Sequence, residues 1–217
     1  MPADFHRVIA IDGPAASGKS SVARELARRL GFVYVNSGAI YRAITWYVLR
    51  RDIGPDDGVR IAQTVESAQI SCRLENNESR VCIDDVDPTN HLRDDPVNKA
   101  VSQVSTVPEV RKIVTEKMRN YARAHDVVVE GRDIGSVVFP YTPCKFYVDA
   151  SPEVRFRRRV AEGQRDEIAA RDRADSSRRA SPLTVAPDAQ VIDTSHLTIE
   201  EVIDKIVEQL KLKGLPL

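Results

Sequence analysis

The run Gly13-Pro14-Ala15-Ala16-Ser17-Gly18-Lys19-Ser20, followed by Ser21, has the residue types and spacing of a phosphate-binding loop. Glycines let the backbone curl so that successive N–H groups point at phosphate oxygens, and a helix starting there adds its partial positive charge. Lys19 would reach the β- and γ-phosphates of a nucleoside triphosphate, and the Ser20 hydroxyl would ligate the Mg²⁺ that bridges them. Such a loop needs a strand in front of it and a helix behind. Val8, Ile9, Ala10 and Ile11 form a short apolar run suited to a buried parallel strand. Val22, Leu26 and Leu30 recur at four-residue spacing before Gly31, which predicts a helix with a C-terminal stop. The loop alone does not select a reaction, because switches, motors, transporters and small-molecule kinases all use it.

Two shorter segments follow the same logic. Asn36-Ser37-Gly38-Ala39-Ile40-Tyr41-Arg42 follows a second apolar run, Phe32 to Val35, and opens a helix that Ser37 is placed to cap. Glu130-Gly131-Arg132-Asp133 follows a third run, Val127 to Glu130. Ligands of open parallel sheets bind beyond the carboxyl ends of the strands, so Ser37, Arg42, Arg132 and Asp133 are expected to converge with the loop on one cleft. Two arginines and an acid there suit an acceptor phosphate. Residues 155 to 179 carry nine arginines, five acids and a single glycine. Standing alone, that stretch reads as a solvated, salt-bridged helical hairpin. Beside a phosphate loop it also reads as a lid, because guanidinium groups bind phosphoryl oxygens bidentately and closure keeps water out.

The elements that must position these groups alternate. Further strands are expected at Lys145 to Asp149 and Gln190 to Asp193, and helices between them argue for a parallel α/β sheet. The C-terminal helix has a capping box, Thr198 with Glu201, and an apolar stripe of Ile199, Val202, Ile203, Ile206, Val207 and Leu210, with Gly214 at its end. Another helix is expected from a cap at Thr106, with Pro108 in its first turn, through Val110, Ile113, Val114 and Tyr121. Gln69 to Leu74 and Arg80 to Ile83, joined by Glu75-Asn76-Asn77-Glu78, interrupt the alternation as an antiparallel insertion.

Composition narrows the partners. Lys plus Arg and Asp plus Glu both total 32, so no global basic field argues for nucleic acid or a membrane surface. At 217 residues and 42% hydrophobic content the chain suits one domain with a sizeable core. Cys72, Cys82 and Cys144 lack a CxxC pair, so buried reduced thiols are expected rather than disulfides or zinc, and the four scattered histidines receive no role. Met1 to Arg7 does not look like a signal peptide and no run reaches membrane-spanning length, so a cytoplasmic protein is expected.

With these segments assembled, the chain resembles the bacterial cytidylate kinases nearly end to end. The likeness rests on Ile11-Asp12-Gly13-Pro14 through Ser20, on Ser37 to Arg42, and on Val101-Ser102-Gln103-Val104-Ser105 with Pro108 to Arg111. It continues through Gly131-Arg132-Asp133-Ile134-Gly135 with Val137 to Pro140, then Arg171-Asp172, Asp175-Ser176, Arg178 and Ser181 to Leu183. Asn36 stands where the family's aspartate is expected. The resemblance implies transfer of the γ-phosphoryl group of ATP to CMP or dCMP with Mg²⁺, by a monomer with no nucleic-acid or membrane partner. It implies a P-loop three-layer α/β/α fold with a five-stranded parallel sheet. The core would be 1–56, 106–154 and 183–217, with a monophosphate-binding insertion at about 57–105 containing a small antiparallel sheet, and an arginine-rich helical lid at about 155–182. Arg42, Arg132 and Arg178 would hold the acceptor phosphate, Asp175 the ribose, and Ser102, Arg111 and Asp133 the cytosine edge, with Ser37 and Tyr41 beside them. Lys19, Arg132, Arg171 and Arg178 would be the main catalytic charges. A kinase for another small acceptor, or a nucleotide switch or RNA-associated ATPase using the arginine-rich segment as an arm, stays open at this stage.

Overall fold

The computed structural model describes residues 5–161, 168–178 and 182–215, with backbone alone for 168–171. Strand β1 (Val8–Asp12) is buried along its whole length and lies between β5 (Val127–Gly131) and β6 (Cys144–Asp149) in parallel register. Alternate residues serve opposite faces, as a two-residue period demands. Val8 and Ala10 join a core with Val33, Val35, Val127 and Val129, whereas Ile9 and Ile11 join a second core with Tyr34, Val128, Phe146 and Val148. The second core is closed by α1 (Lys19–Leu30) and α8 (Ile199–Leu212) through Val22, Leu26, Val202, Ile203, Ile206 and Leu210. The first is closed by α2 (Ser37–Leu49), α3 (Gly58–Ser67), α4 (Asp95–Val104) and α5 (Pro108–Ala124). The result is the expected three-layer α/β/α arrangement.

The sheet is larger than expected. Its order is β3-β4-β2-β5-β1-β6-β7, seven strands, with β2 at Val33–Asn36 and β7 at Gln190–Asp193. The antiparallel hairpin of β3 (Ile70–Glu75) and β4 (Glu78–Ile83) is not a separate small sheet. It continues the parallel core because β4 pairs with β2 through Tyr34 and Glu78, and the Tyr34 N–H donates to the Asn77 carbonyl at 2.8 Å. The tight turn between its strands is Asn76-Asn77, both left-handed at φ 51° and 60°, a conformation asparagine tolerates best among side-chain-bearing residues.

Three local expectations are corrected. The cap of α2 is Asn36, whose side chain accepts from the Ala39 N–H at 3.0 Å, while Ser37 is buried inside the first turn. The cap position of α5 is Val107, because the Thr106 hydroxyl donates backward to the Gln103 carbonyl at 2.7 Å. Ile199 is 48% exposed and outside the core, although the capping box of Thr198 and Glu201 forms as expected. All three cysteines are free; Cys82 and Cys144 are buried and Cys72 half-buried. Among the described residues no helix is long and apolar enough to cross a membrane. The arginine-rich segment does form two helices, α6 (Pro152–Ala161) and α7 (Ile168–Ser176).

Ile206→Ala should therefore cost about 2–5 kcal/mol in chemical denaturation, since a wholly buried side chain leaves a cavity. Thr198→Ala should cost about 1 kcal/mol through the lost cap. Ile199→Ala should stay within about 0.5 kcal/mol, and a larger loss would return Ile199 to the core.

Candidate active site

The loop after β1 is shaped by its neighbours. A Cβ on Gly13 would collide with the Val148 carbonyl, and Gly18, at φ 89°, ends the loop in a left-handed conformation at the start of α1. Ala16 accepts φ 58° without glycine's freedom. The loop carbonyls accept from cationic side chains. Lys19 Nζ donates to the Pro14 carbonyl at 2.9 Å, and Arg158 Nη1 donates to the Ser17 carbonyl at 3.0 Å. The Ser17 hydroxyl is buried without a hydrogen-bond partner among the described residues. The Ala15 N–H already donates to a carboxylate oxygen of Asp172, at 3.0 Å, and that carboxylate is ion-paired with Arg155. A carboxylate thus sits on a loop amide.

Ser20 reveals a residue that sequence reasoning passed over. Its hydroxyl donates to Glu130 Oε2 at 2.8 Å, and Tyr34 donates to Glu130 Oε1 at 2.6 Å. Burial first, and then the adjacent carboxylate, push the Tyr34 hydroxyl's pKa upward, so it remains a donor. An acid closing the apolar run Val127 to Val129 was the available signal. Ser20 and Glu130 supply hard oxygen ligands side by side, the donor set that Mg²⁺ accepts when phosphates complete its shell.

Opposite the loop lies a cleft of about 430 Å³ lined by Lys19, Ser20, Ser21, Ser37, Tyr41, Arg42, Ser102, Arg132, Asp133, Asp175 and Arg178, among others. The predicted residues converge, with some rearrangement of partners. Arg42 Nη1 donates to the Leu92 carbonyl at 2.8 Å and to Asn98 Oδ1 at 2.7 Å, which ties α2 to the start of α4. Arg132 spans the cleft floor: its Nη1 donates to the Gly13 carbonyl at 2.6 Å and its Nε pairs with Asp175 at 2.8 Å. Arg178 pairs with the other oxygen of Asp175, and the Ser102 hydroxyl donates to that oxygen at 3.3 Å. Ser102 therefore faces the Asp175 cluster. Arg111 and Asp133 form a buried ion pair, and Arg111 stands behind the cleft surface with its guanidinium 5.6 Å from the centre of the Tyr41 ring. Burial drives the Tyr41 hydroxyl up to about 12.

Electrostatically the cleft is short of negative charge. Burial holds Arg178 below its usual range, Asp175 opposes the shift, and the like charges of Arg111 and Arg132 add to it. Arg178 Nε is also buried with no hydrogen-bond partner among the described residues. A buried, unsatisfied guanidinium donor among like charges calls for an anion. The side chain of Arg171 and the whole of Arg179 lie outside the described residues.

Comparison with known proteins agrees with this geometry. A family model described as cytidylate kinase matches residues 9–212. The cytidylate kinase of Caldanaerobacter subterraneus subsp. tengcongensis is 44% identical, with 94% of each chain covered. That of Nocardia farcinica is 43% identical over 95% of this chain and 94% of its own. The Mycobacterium avium enzyme is 43% identical over 99% and 98%. With a match that runs from β1 to the last turn of α8 and takes in every segment of the cleft, the chain belongs to the cytidylate kinase family.

Proposed function

We propose that the chain transfers the γ-phosphoryl group of ATP to CMP or dCMP, releasing ADP and CDP or dCDP. The observation that carries this reading is Arg132, which touches the donor loop at the Gly13 carbonyl and the acceptor cluster at Asp175 with one guanidinium. A phosphate between the two halves would meet its charge on either side. The phosphate oxygen of CMP attacks the γ-phosphorus in line, the bond to the β–γ bridging oxygen breaks, and ADP leaves, with no covalent enzyme intermediate. Catalysis then rests on positioning and electrostatics. Lys19 would leave the Pro14 carbonyl for the transferring phosphoryl group. Arg42, Arg132 and Arg178 would hold the acceptor phosphate, with Arg171 approaching from the lid. Ser20 and Glu130 would hold Mg²⁺, directly or through water, and a bound ion would supply charge stabilisation to the phosphates.

Base selection falls to the Asp133 carboxylate, which would accept from the cytosine amino group, with Ser102 and Arg111 for the ring acceptors. Uracil presents a carbonyl where cytosine has the amino donor, so Asp133 would face it unpaired. Asp175 would serve the ribose. In this reading about 57–105 is the acceptor-binding insertion and about 155–182 the lid.

Coupled ADP release across CMP, dCMP, UMP, AMP and dTMP should show efficient turnover of CMP and dCMP alone; equal use of UMP or dTMP would move the assignment to another acceptor. Lys19→Ala should lower kcat by about 10²–10³-fold while leaving the melting temperature near that of the parent. Asp133→Asn, which spares Arg111 the loss of all contact, should reduce discrimination against UMP by about 1–3 kcal/mol in kcat/KM. Discrimination equal to the parent's would remove Asp133 from base reading.

A further inference from the structure

Asp12 ends β1 and is the residue directly before the phosphate loop. Its side chain is buried, 5% exposed, and takes no part in the chemistry above. Both oxygens accept from the turn that follows the acceptor residues: Oδ1 from the Ile134 N–H at 2.8 Å and Oδ2 from the Gly135 N–H at 2.8 Å. That turn, Ile134–Val138, is π-helical, and its first amides, like those of any helix, have no intrahelical acceptor. Asp133 itself sits in a sparsely populated backbone conformation, φ −145° and ψ 24°, immediately before it. Gly135 leaves room for the carboxylate: a Cβ there would press on Lys145 at 3.1 Å and on Asp12 Oδ2 at 3.4 Å.

We propose that Asp12 is a positioning residue that fixes Arg132 and Asp133 relative to the phosphate loop by clamping the turn behind them. The proposal rests on the CMP kinase reading. Asp12 touches neither nucleotide; it acts through the backbone of residues 134 and 135, and so through the direction in which Asp133 presents its carboxylate to the base. Its own burial, only partly offset by the two N–H donors, drives its carboxyl up to about 6. The titratable groups that face it are Lys19 from α1, Asp133 after β5, and Lys145 and Tyr147 on β6. Because its folded-state pKa lies above the ordinary carboxylate value, lowering the pH through about 6 relieves the buried charge while removing one of the two acceptors. The fold should gain stability from this group as the pH falls through that interval, because the folded state then binds more protons than the unfolded one, and base reading should weaken.

The test is the CMP over UMP ratio of kcat/KM, followed from about pH 8 to about pH 5.5 in the parent and in Asp12→Asn. The nucleotide phosphate titrates in the same range but alike for both substrates, so the ratio cancels it. The asparagine amide presents one acceptor and an NH₂ toward the second N–H, imitating the protonated clamp. Expected are a ratio that falls about tenfold in the parent as the pH drops, and a folded Asp12→Asn variant that has the low ratio at every pH. A purely structural role would lower the active fraction and leave the ratio alone. A folded variant with the parent's ratio, or with the parent's pH dependence, overturns the proposal. If Asp12→Asn does not fold, the Ile134 and Gly135 amide resonances of the parent decide: they should titrate with a midpoint of about 6 together with the ratio, and amides that stay still while the ratio moves reject the clamp. A parent inactive on CMP would sink the proposed function instead, and the amide titration, needing no substrate, tells the two failures apart.

Discussion

The ladder between β1 and β5 sets where everything else in the cleft can be. Its register places Asp12 beside Gly131, so the chain leaves the two strands at the same level, into the phosphate loop on one side and into Arg132 and Asp133 on the other. A slip of one residue would exchange the two faces of β1 and put Val8 and Ala10 where Ile9 and Ile11 pack. Gly131 is the point at which that register is most demanding. A Cβ there would lie 2.6 Å from the Ser37 hydroxyl and 2.7 Å from the Ile134 side chain, so only a bare backbone lets α2 and the π-helical turn meet above the strand. The guanidinium of Arg132 can reach the Gly13 carbonyl because both residues emerge from neighbouring strand ends.

Geometry of that kind gathers like charges, and the structure answers with carboxylates. Asp175 is shared by Arg132 and Arg178, Asp133 is paired with Arg111, and Asp172 is paired with Arg155 while resting on the loop amide of Ala15. Each acid lowers the cost of holding guanidinium groups together in a partly desolvated cleft. The balance is incomplete, as the depressed Arg178 and its unpartnered Nε show. Preorganised charge of this sort acts on the transition state without reorganisation at the moment of transfer.

Local signals in the sequence carried the framework well where one element decides its own form. Strand β7 and the capping box of α8 follow from alternation and from side-chain chemistry contained within a few residues. The misplaced details depend on distant partners. Asn36 and Ser37 are both competent caps, and the choice falls to Asn36 because Ser37 is needed beneath Gly131. The hairpin's docking onto β2 rests on one ladder pair, Tyr34 with Glu78, that no periodicity announces. Glu130 was legible as the end of a strand and illegible as a partner of Ser20, since that contact exists only after β5 lies beside α1 and the loop.

The arginine-rich segment shows most clearly why composition falls short of mechanism. Charge density there predicted either a solvated hairpin or a lid aimed at phosphate, and the described residues divide between different tasks. Phe156 and Val160 point outward, 65% and 55% exposed, so α6 does not bury an apolar face with them. Its inner face is held by arginines: Arg155 donates to the Ala15 carbonyl at 3.2 Å, and Arg158 joins the Ser17 carbonyl to the Thr194 carbonyl at the end of β7. These arginines bind the loop through its carbonyls, and Arg155 also pairs with Asp172, which accepts from the Ala15 amide. Asp172 and Asp175, one helical turn apart on α7, then reach the donor loop and the acceptor cluster respectively. Both contacts run from one face of α7, so a displacement of that helix would move them together.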